Sequence, residues 1–172
     1  MLVYKDAITG DEILSDAYNI KLVDDVAYEV DCAMVQAGGE VQVDIGANPS
    51  AEEAEEGTED QARMVINVVE YQQLVKAPGF ADHKQYMGYL KRYLKALKTK
   101  FQEAGKPEEE IKAFEQRAVT FSRKIKENWN NWDFYTGASM NPDGMIILLD
   151  YREDGVTPYM VYWKDGLVEE KY

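Results

Sequence analysis

The stretch DYREDGVTPYM, Asp150 to Met160, crowds three acids and an arginine into five residues. Carboxylates beside a cation are the raw material of an ion site or of proton transfer. The same residues also suit a turn, because Asp-Gly tolerates positive φ. Asp-Gly recurs at Asp143-Gly144, Asp154-Gly155 and Asp165-Gly166, each between strand-like runs: WDFYTGASM, MIILLDY, TPYMVYW and LVEEKY. The repetition reads as an antiparallel meander over about 132–172. Arg152, Glu153 and Asp154 are then expected at the surface or in a turn, and Pro158 at a strand start or edge.

Other reactive groups are few. One cysteine (Cys32) and one histidine (His83) cannot build a Cys/His zinc site, which takes three or four such ligands. His83 is expected as a solvated residue at a helix start, and Cys32 as a packed thiol in a strand-like run, VAYEVDCAMV. No phosphate-binding glycine loop and no G-x-S-x-G elbow occurs. The expectation is a protein without a catalytic site.

These residues sit in a chain of 172 residues, 45% hydrophobic, which fits one folded domain over 1–172. No apolar run is long enough to span a bilayer, no signal-peptide core opens the chain, and a lone cysteine fits a reducing compartment. The cytoplasm is the expected location. The net charge of -13 is unevenly spread: residues 81–128 carry 12 Lys+Arg against 7 Asp+Glu, while the remainder is strongly acidic. A basic element on an acidic protein points to an acidic partner. The overall charge argues against a specific nucleic-acid partner.

Short strand-like runs, MLVYKD, NIKLV and VAYEVDCAMV, fill the first 35 residues. Seven acids and no base lie between Asp44 and Asp60, so about 39–61 reads as a long mobile acidic loop. The Val-rich MVINVVEYQQLVKA is expected as a core strand. Over about 81–128 the pattern turns helical. Tyr86, Leu90, Tyr93, Leu94, Leu97 and Phe101 form one apolar stripe; Ile111, Phe114, Ala118, Phe121 and Ile125 form a second. Gly105 and Pro107 mark the break, and so short a link makes an antiparallel helical hairpin. At about 100° per residue, Lys84, Lys91, Lys95 and Lys98 share a face away from the stripe. Lys112, Arg123 and Lys126 do the same on the second helix. These seven cations are the candidate contact for an acidic partner.

Longer motifs add a resemblance. FYTGASMNPDGMIILLDYREDGVTPYMVYWKDGL resembles the second signature of the translationally controlled tumour protein family, and IGANPSAEE, Ile45 to Glu53, resembles its first. YKDAITGDEILSDAY is similar to the family's start, and KLVDDVAYEVDCAMV resembles fungal members most. The likeness covers essentially the whole chain. It implies an α+β fold: a β-tent of small, mainly antiparallel sheets, a projecting antiparallel helical hairpin and a long mobile acidic loop. It also implies similarity to guanine-nucleotide-free Rab chaperones and methionine-R-sulfoxide reductases, whose paired cysteines this chain lacks.

By the same resemblance the expected function is a non-enzymatic cytoplasmic adaptor, partly cytoskeleton-associated. Its partners would be the ribosome or translation elongation factors and tubulin in microtubules, and weak calcium binding would fall to the acidic loop. The alternative is a regulator or nucleotide-free chaperone of a small GTPase. Glu12 matches a family acid linked to GTPase binding, but Ala138 stands where a second such acid is usual. The family's animal C-terminal cysteine, linked to dimerisation, is replaced by Tyr172, so a monomer is expected.

Overall fold

Residues 1–37 and 63–172 are described in the computed structural model. Within them lie three antiparallel sheets and a helical pair. Strands β1 (Leu2–Asp6), β2 (Glu12–Ser15) and β11 (Leu167–Lys171) form one sheet in the order β11-β1-β2. A second, six-stranded sheet is built from β3 (Asn19–Val23), β4 (Ala27–Asp31), β7 (Val75–Lys76), β8 (Asp133–Thr136), β9 (Ile147–Tyr151) and β10 (Pro158–Trp163). Its order is β3-β4-β10-β9-β8-β7. β5 (Met34–Gln36) pairs with β6 (Met64–Ile66) as a ribbon. The expected mobile loop of about 39–61, with its first signature, lies outside the described residues.

The helical hairpin stands where periodicity puts it. Helix α1 (Asn67–Tyr71) is a single short piece, while α2 (His83–Glu103) and α3 (Glu108–Glu127) form the pair. Asp82 caps α2 by accepting from the Gln85 amide at 2.9 Å, and the Gln85 side chain accepts from the Ala81 amide at 3.0 Å. Gly105, at φ 78°, takes the left-handed turn that ends α2, and Pro107 leads into α3. Both apolar stripes are inside, Leu94 being only partly so; Tyr89 joins the first. Phe101 and Phe114 meet edge-on near the hairpin tip, and Phe121 meets Trp163 of β10, tying α3 to the sheet.

Three expectations need correction. The Val-rich run is not one core strand: it divides into β6, α1 and β7. Asn67 is pinned to Ala33, whose amide donates to its side chain at 3.0 Å and whose carbonyl accepts from its amide at 2.9 Å. That tertiary anchor, with Gln73 at φ 56°, overrides the strand preference of valine.

The C-terminal meander holds for β8, β9 and β10 but loses its last strand, since β11 pairs with β1. Asp165-Gly166 lies in a 3-10 turn that redirects the chain, with the Gly166 carbonyl accepting from the Ala7 amide at 2.8 Å. A Cβ on Gly166 would stand 2.0 Å from the Tyr93 hydroxyl, so this glycine serves close approach rather than a hairpin. Asp143-Gly144 is similar, its glycine packed on Asp6 and Thr9. Of the three pairs only Asp154-Gly155 turns a hairpin, with Gly155 at φ 75°.

Finally, the run read as one strand around Cys32 is β4 followed by β5.

Candidate interaction surfaces

The seven predicted cations separate into two groups. Lys91, Lys95 and Lys98 of α2 and Lys112 and Arg123 of α3 line two shallow grooves that share Glu115 and Val119. Lys84 and Lys126 lie apart from these grooves; Lys126 is close enough to His83 for its charge to act there. Lys98 faces Glu115 at 3.8 Å and Lys112 faces Glu108 at 3.7 Å, both loose surface pairs. Lys84, Lys91, Lys95, Arg123 and Lys126 are exposed and have no ion pair among the described residues. Between the cations run Leu94 and the half-exposed Val119. A cationic surface with an apolar strip suits an acidic segment that also carries apolar side chains.

A second surface forms at β2. Glu12 is exposed, and its carboxylate accepts from the Tyr172 hydroxyl at 3.4 Å. Its neighbour Asp11 accepts from the Ser139 hydroxyl at 2.6 Å and the Ser139 amide at 3.3 Å. A Cβ on Gly137 would lie 2.5 Å from that carboxylate, so the turn packs onto Asp11 only because residue 137 is glycine. Glu12 and Ala138 are thus neighbours of one contact, although Ala138 contributes no carboxylate. Nothing in the linear sequence singles out Asp11, because its partner is 128 residues away.

The acidic cluster of Asp150 to Asp154 resolves into a turn and a clamp. The Asp154 carboxylate accepts from the Val156 and Thr157 amides at 2.8 Å and from the Thr157 hydroxyl at 2.6 Å, which holds it below the usual carboxylate range. Arg152 is more than the expected surface residue. Its guanidinium reaches β4, donating to Asp31 at 2.8 Å and Glu29 at 2.7 Å, and stacks 3.9 Å over the Tyr159 ring. Burial alone would weaken its hold on the proton, but the two carboxylates outweigh that and raise its pKa further.

Cys32 is the packed thiol expected, buried, with its Sγ 3.4 Å from the Val30 carbonyl; burial pushes it up to about 12. His83 does start α2, but it is half-buried against Trp129 rather than solvated, and burial lowers its pKa. Among the described residues no group of three or more His, Cys, Asp or Glu could hold a metal ion. No helix there is long and apolar enough to cross a membrane.

A family model described as "Translationally controlled tumour protein" matches residues 1–168. The translationally controlled tumour protein homologue of Neurospora crassa is 55% identical over 172 residues, covering 99% of both chains. That of Schizosaccharomyces pombe is 51% identical and covers 100% of both. Among solved structures, the Schizosaccharomyces pombe protein superposes with a TM-score of 0.80 over 100% of both chains. The Caenorhabditis elegans protein, 28% identical, does so with a TM-score of 0.69, covering 100% of this chain and 99% of the other.

Proposed function

The chain belongs to the translationally controlled tumour protein family, and from that premise we propose that it is a non-enzymatic cytoplasmic adaptor. It docks the basic face of its helical hairpin onto acidic partners: microtubule tails and components of the translation machinery. The observation that carries this reading is the set of exposed cations on α2, Lys84, Lys91 and Lys95, which have no ion pair among the described residues although the chain as a whole is at -13. Cations held by internal carboxylates, like Arg152, have little left to offer a partner. Unpaired ones can exchange water and counterions for a partner's carboxylates.

Cosedimentation with purified microtubules tests the reading. The Lys91→Glu/Lys95→Glu variant should lose most binding with unchanged circular dichroism. Raised salt should mimic it, since exposed charges are screened over about 8 Å at physiological ionic strength. Binding equal to the unaltered protein would remove this face from consideration.

A second reading, regulation of a small GTPase, draws on Glu12 and the turn that Asp11 holds beside it. One charge-assisted contact contributes about 1.5–3 kcal/mol. Stoichiometric protein should therefore accelerate nucleotide release less than about tenfold once exposure is discounted. Glu12→Ala should remove the effect and Ala138→Glu should enlarge it. Weak calcium binding would rest on the acids of 44–60; deleting Ala51 to Thr58 should abolish it, as read by calorimetry.

A further inference from the structure

A cavity of about 240 Å³ opens beside the turn of residues 137–140, between α2 and the β7 edge of the six-stranded sheet. Its wall is apolar, formed chiefly by Val75, Pro78, Phe80, Tyr89, Pro142 and Ile146. The Tyr89 hydroxyl donates to the Gly144 carbonyl at 2.7 Å and accepts from the Ile146 amide at 2.8 Å, so its hydrogen-bonding capacity is already engaged. Phe80 is wedged edge-on between Tyr86 and Phe134. Gly79, at φ 85°, lies so near Phe134 that a Cβ would sit 3.1 Å from its ring. The wall is therefore set before anything enters, which lowers the cost of binding.

The rim has a different character. Lys76 and Arg92 line the cavity and no carboxylate does, in a chain whose net charge is -13. Lys76 has a distant Asp133 at 4.0 Å. Arg92 is exposed and has no ion pair among the described residues. Met140 completes the rim at φ 59°, 61% exposed. A left-handed conformation is uncommon for a non-glycine residue, and such strain gathers at ligand clamps. Here the neighbouring Ser139 is tied to Asp11, which braces the turn carrying Met140.

An apolar wall beneath an unpaired cation complements a molecule with an apolar body and one anionic end. We propose that this cavity binds a small organic monocarboxylate, its aliphatic body against Phe80, Pro142 and Met140 and its carboxylate at Arg92. The volume falls just below the range of about 300–1,000 Å³ for drug-sized ligands, which limits the occupant to on the order of ten non-hydrogen atoms. An extended peptide fits less well: β7 has two residues, and Pro78 just beyond it has no amide to donate.

Octanoate, octanol and octylammonium, titrated below their micellar concentrations into isotope-labelled full-length protein, form the test by amide NMR. Octanoate should shift Val75, Lys76, Gly79, Thr136, Met140 and Ile146 saturably. Octanol should bind at least about fivefold more weakly, a modest ratio because the cation is exposed, and octylammonium should not saturate. Arg92→Gln should bring octanoate down to the octanol affinity, while Lys91→Gln, on the neighbouring helix face, should leave it unchanged. Arg92 is exposed, so the variant should fold, and its amide spectrum checks this directly. Equal affinities for octanoate and octanol, an Arg92→Gln variant that binds as before, or shifts confined to Lys91, Lys95 and Lys98 would each overturn the proposal. Only shifts confined to Lys91, Lys95 and Lys98 would involve the adaptor face; the other outcomes leave that reading untouched, since its test uses a different surface.

Discussion

Arg152 and Lys91 are both partly or fully solvent-facing cations flanked by polar sequence, yet they occupy opposite situations. Arg152 is held by two carboxylates from β4 and an aromatic ring from β10. Lys91 stands on α2 with no counter-charge among the described residues. The first cation is engaged inside the molecule and helps to keep β4 and the β9–β10 hairpin together. The second is available to something outside it. Charge in a sequence therefore says less about function than the question of which charges the fold has already matched.

The largest stability effect should come from Arg152→Met. It leaves Glu29 and Asp31 close together without their shared cation, and it should lower stability by about 2 kcal/mol, the scale of charge-assisted hydrogen bonds. Urea denaturation reads it directly; an unchanged midpoint would mean that water serves the two carboxylates equally well. Next comes the base of the hairpin, where Lys124 pairs with Asp24 and Arg117 and Lys164 approach Asp25. Lys124→Met should cost about 0.5–1 kcal/mol, a difference that shrinks in concentrated salt. Lys91→Gln, by contrast, should change stability by no more than about 0.5 kcal/mol.

Smaller still are two titration effects. The hydrogen bond from Lys164 holds the Asp25 pKa below its ordinary value. A depressed carboxylate contributes stability above its unfolded pKa, about 3.9, and that contribution disappears as pH falls through the folded value. Lys164→Met should return Asp25 toward its ordinary titration, seen in carboxyl NMR, and the two proteins' stabilities should converge in acid. His83 behaves differently. Burial, aided by Lys126, lowers its pKa, so the unfolded chain takes up a proton first. Stability should decline as pH drops from about 6.5 toward the lower folded value. His83→Gln should flatten that part of the profile in thermal melts.

The helices were legible because their periodicity is local: Tyr86 to Phe101 and Ile111 to Ile125 announce their buried faces without reference to the rest of the chain. The signature motifs likewise carried the family and with it the α+β architecture. Beyond the β8–β9–β10 meander, pairing across the sheets was not legible from the residues themselves. Asp165-Gly166 looks like a hairpin turn in sequence, and only the neighbouring Tyr93 shows why it must be glycine. The cationic stripe could be drawn at 100° per residue, but its division into paired Lys98 and Lys112 and unpaired Lys91 and Lys95 depends on Glu115 and Glu108. Arg92, one residue past Lys91, was not singled out in the sequence. What it points toward required β7 and the 137–140 turn.

The pairing of β1 with β11, and of β4 with β10, sets an order of events during synthesis. β1 and β4 can pair early with β2 and β3, but each must wait for its second neighbour from the far end of the chain, and at roughly 5–20 residues per second that wait is on the order of ten to thirty seconds. The hairpin of α2 and α3 needs no such partner to begin forming. The nascent chain thus carries unpaired strand edges on one side of a helical unit that can already be assembled. Non-local topology of this kind slows folding and prolongs exposure to misassociation. A cell making this protein rapidly would hold a standing population of unfinished sheets, the larger completed by β10 and the smaller by β11.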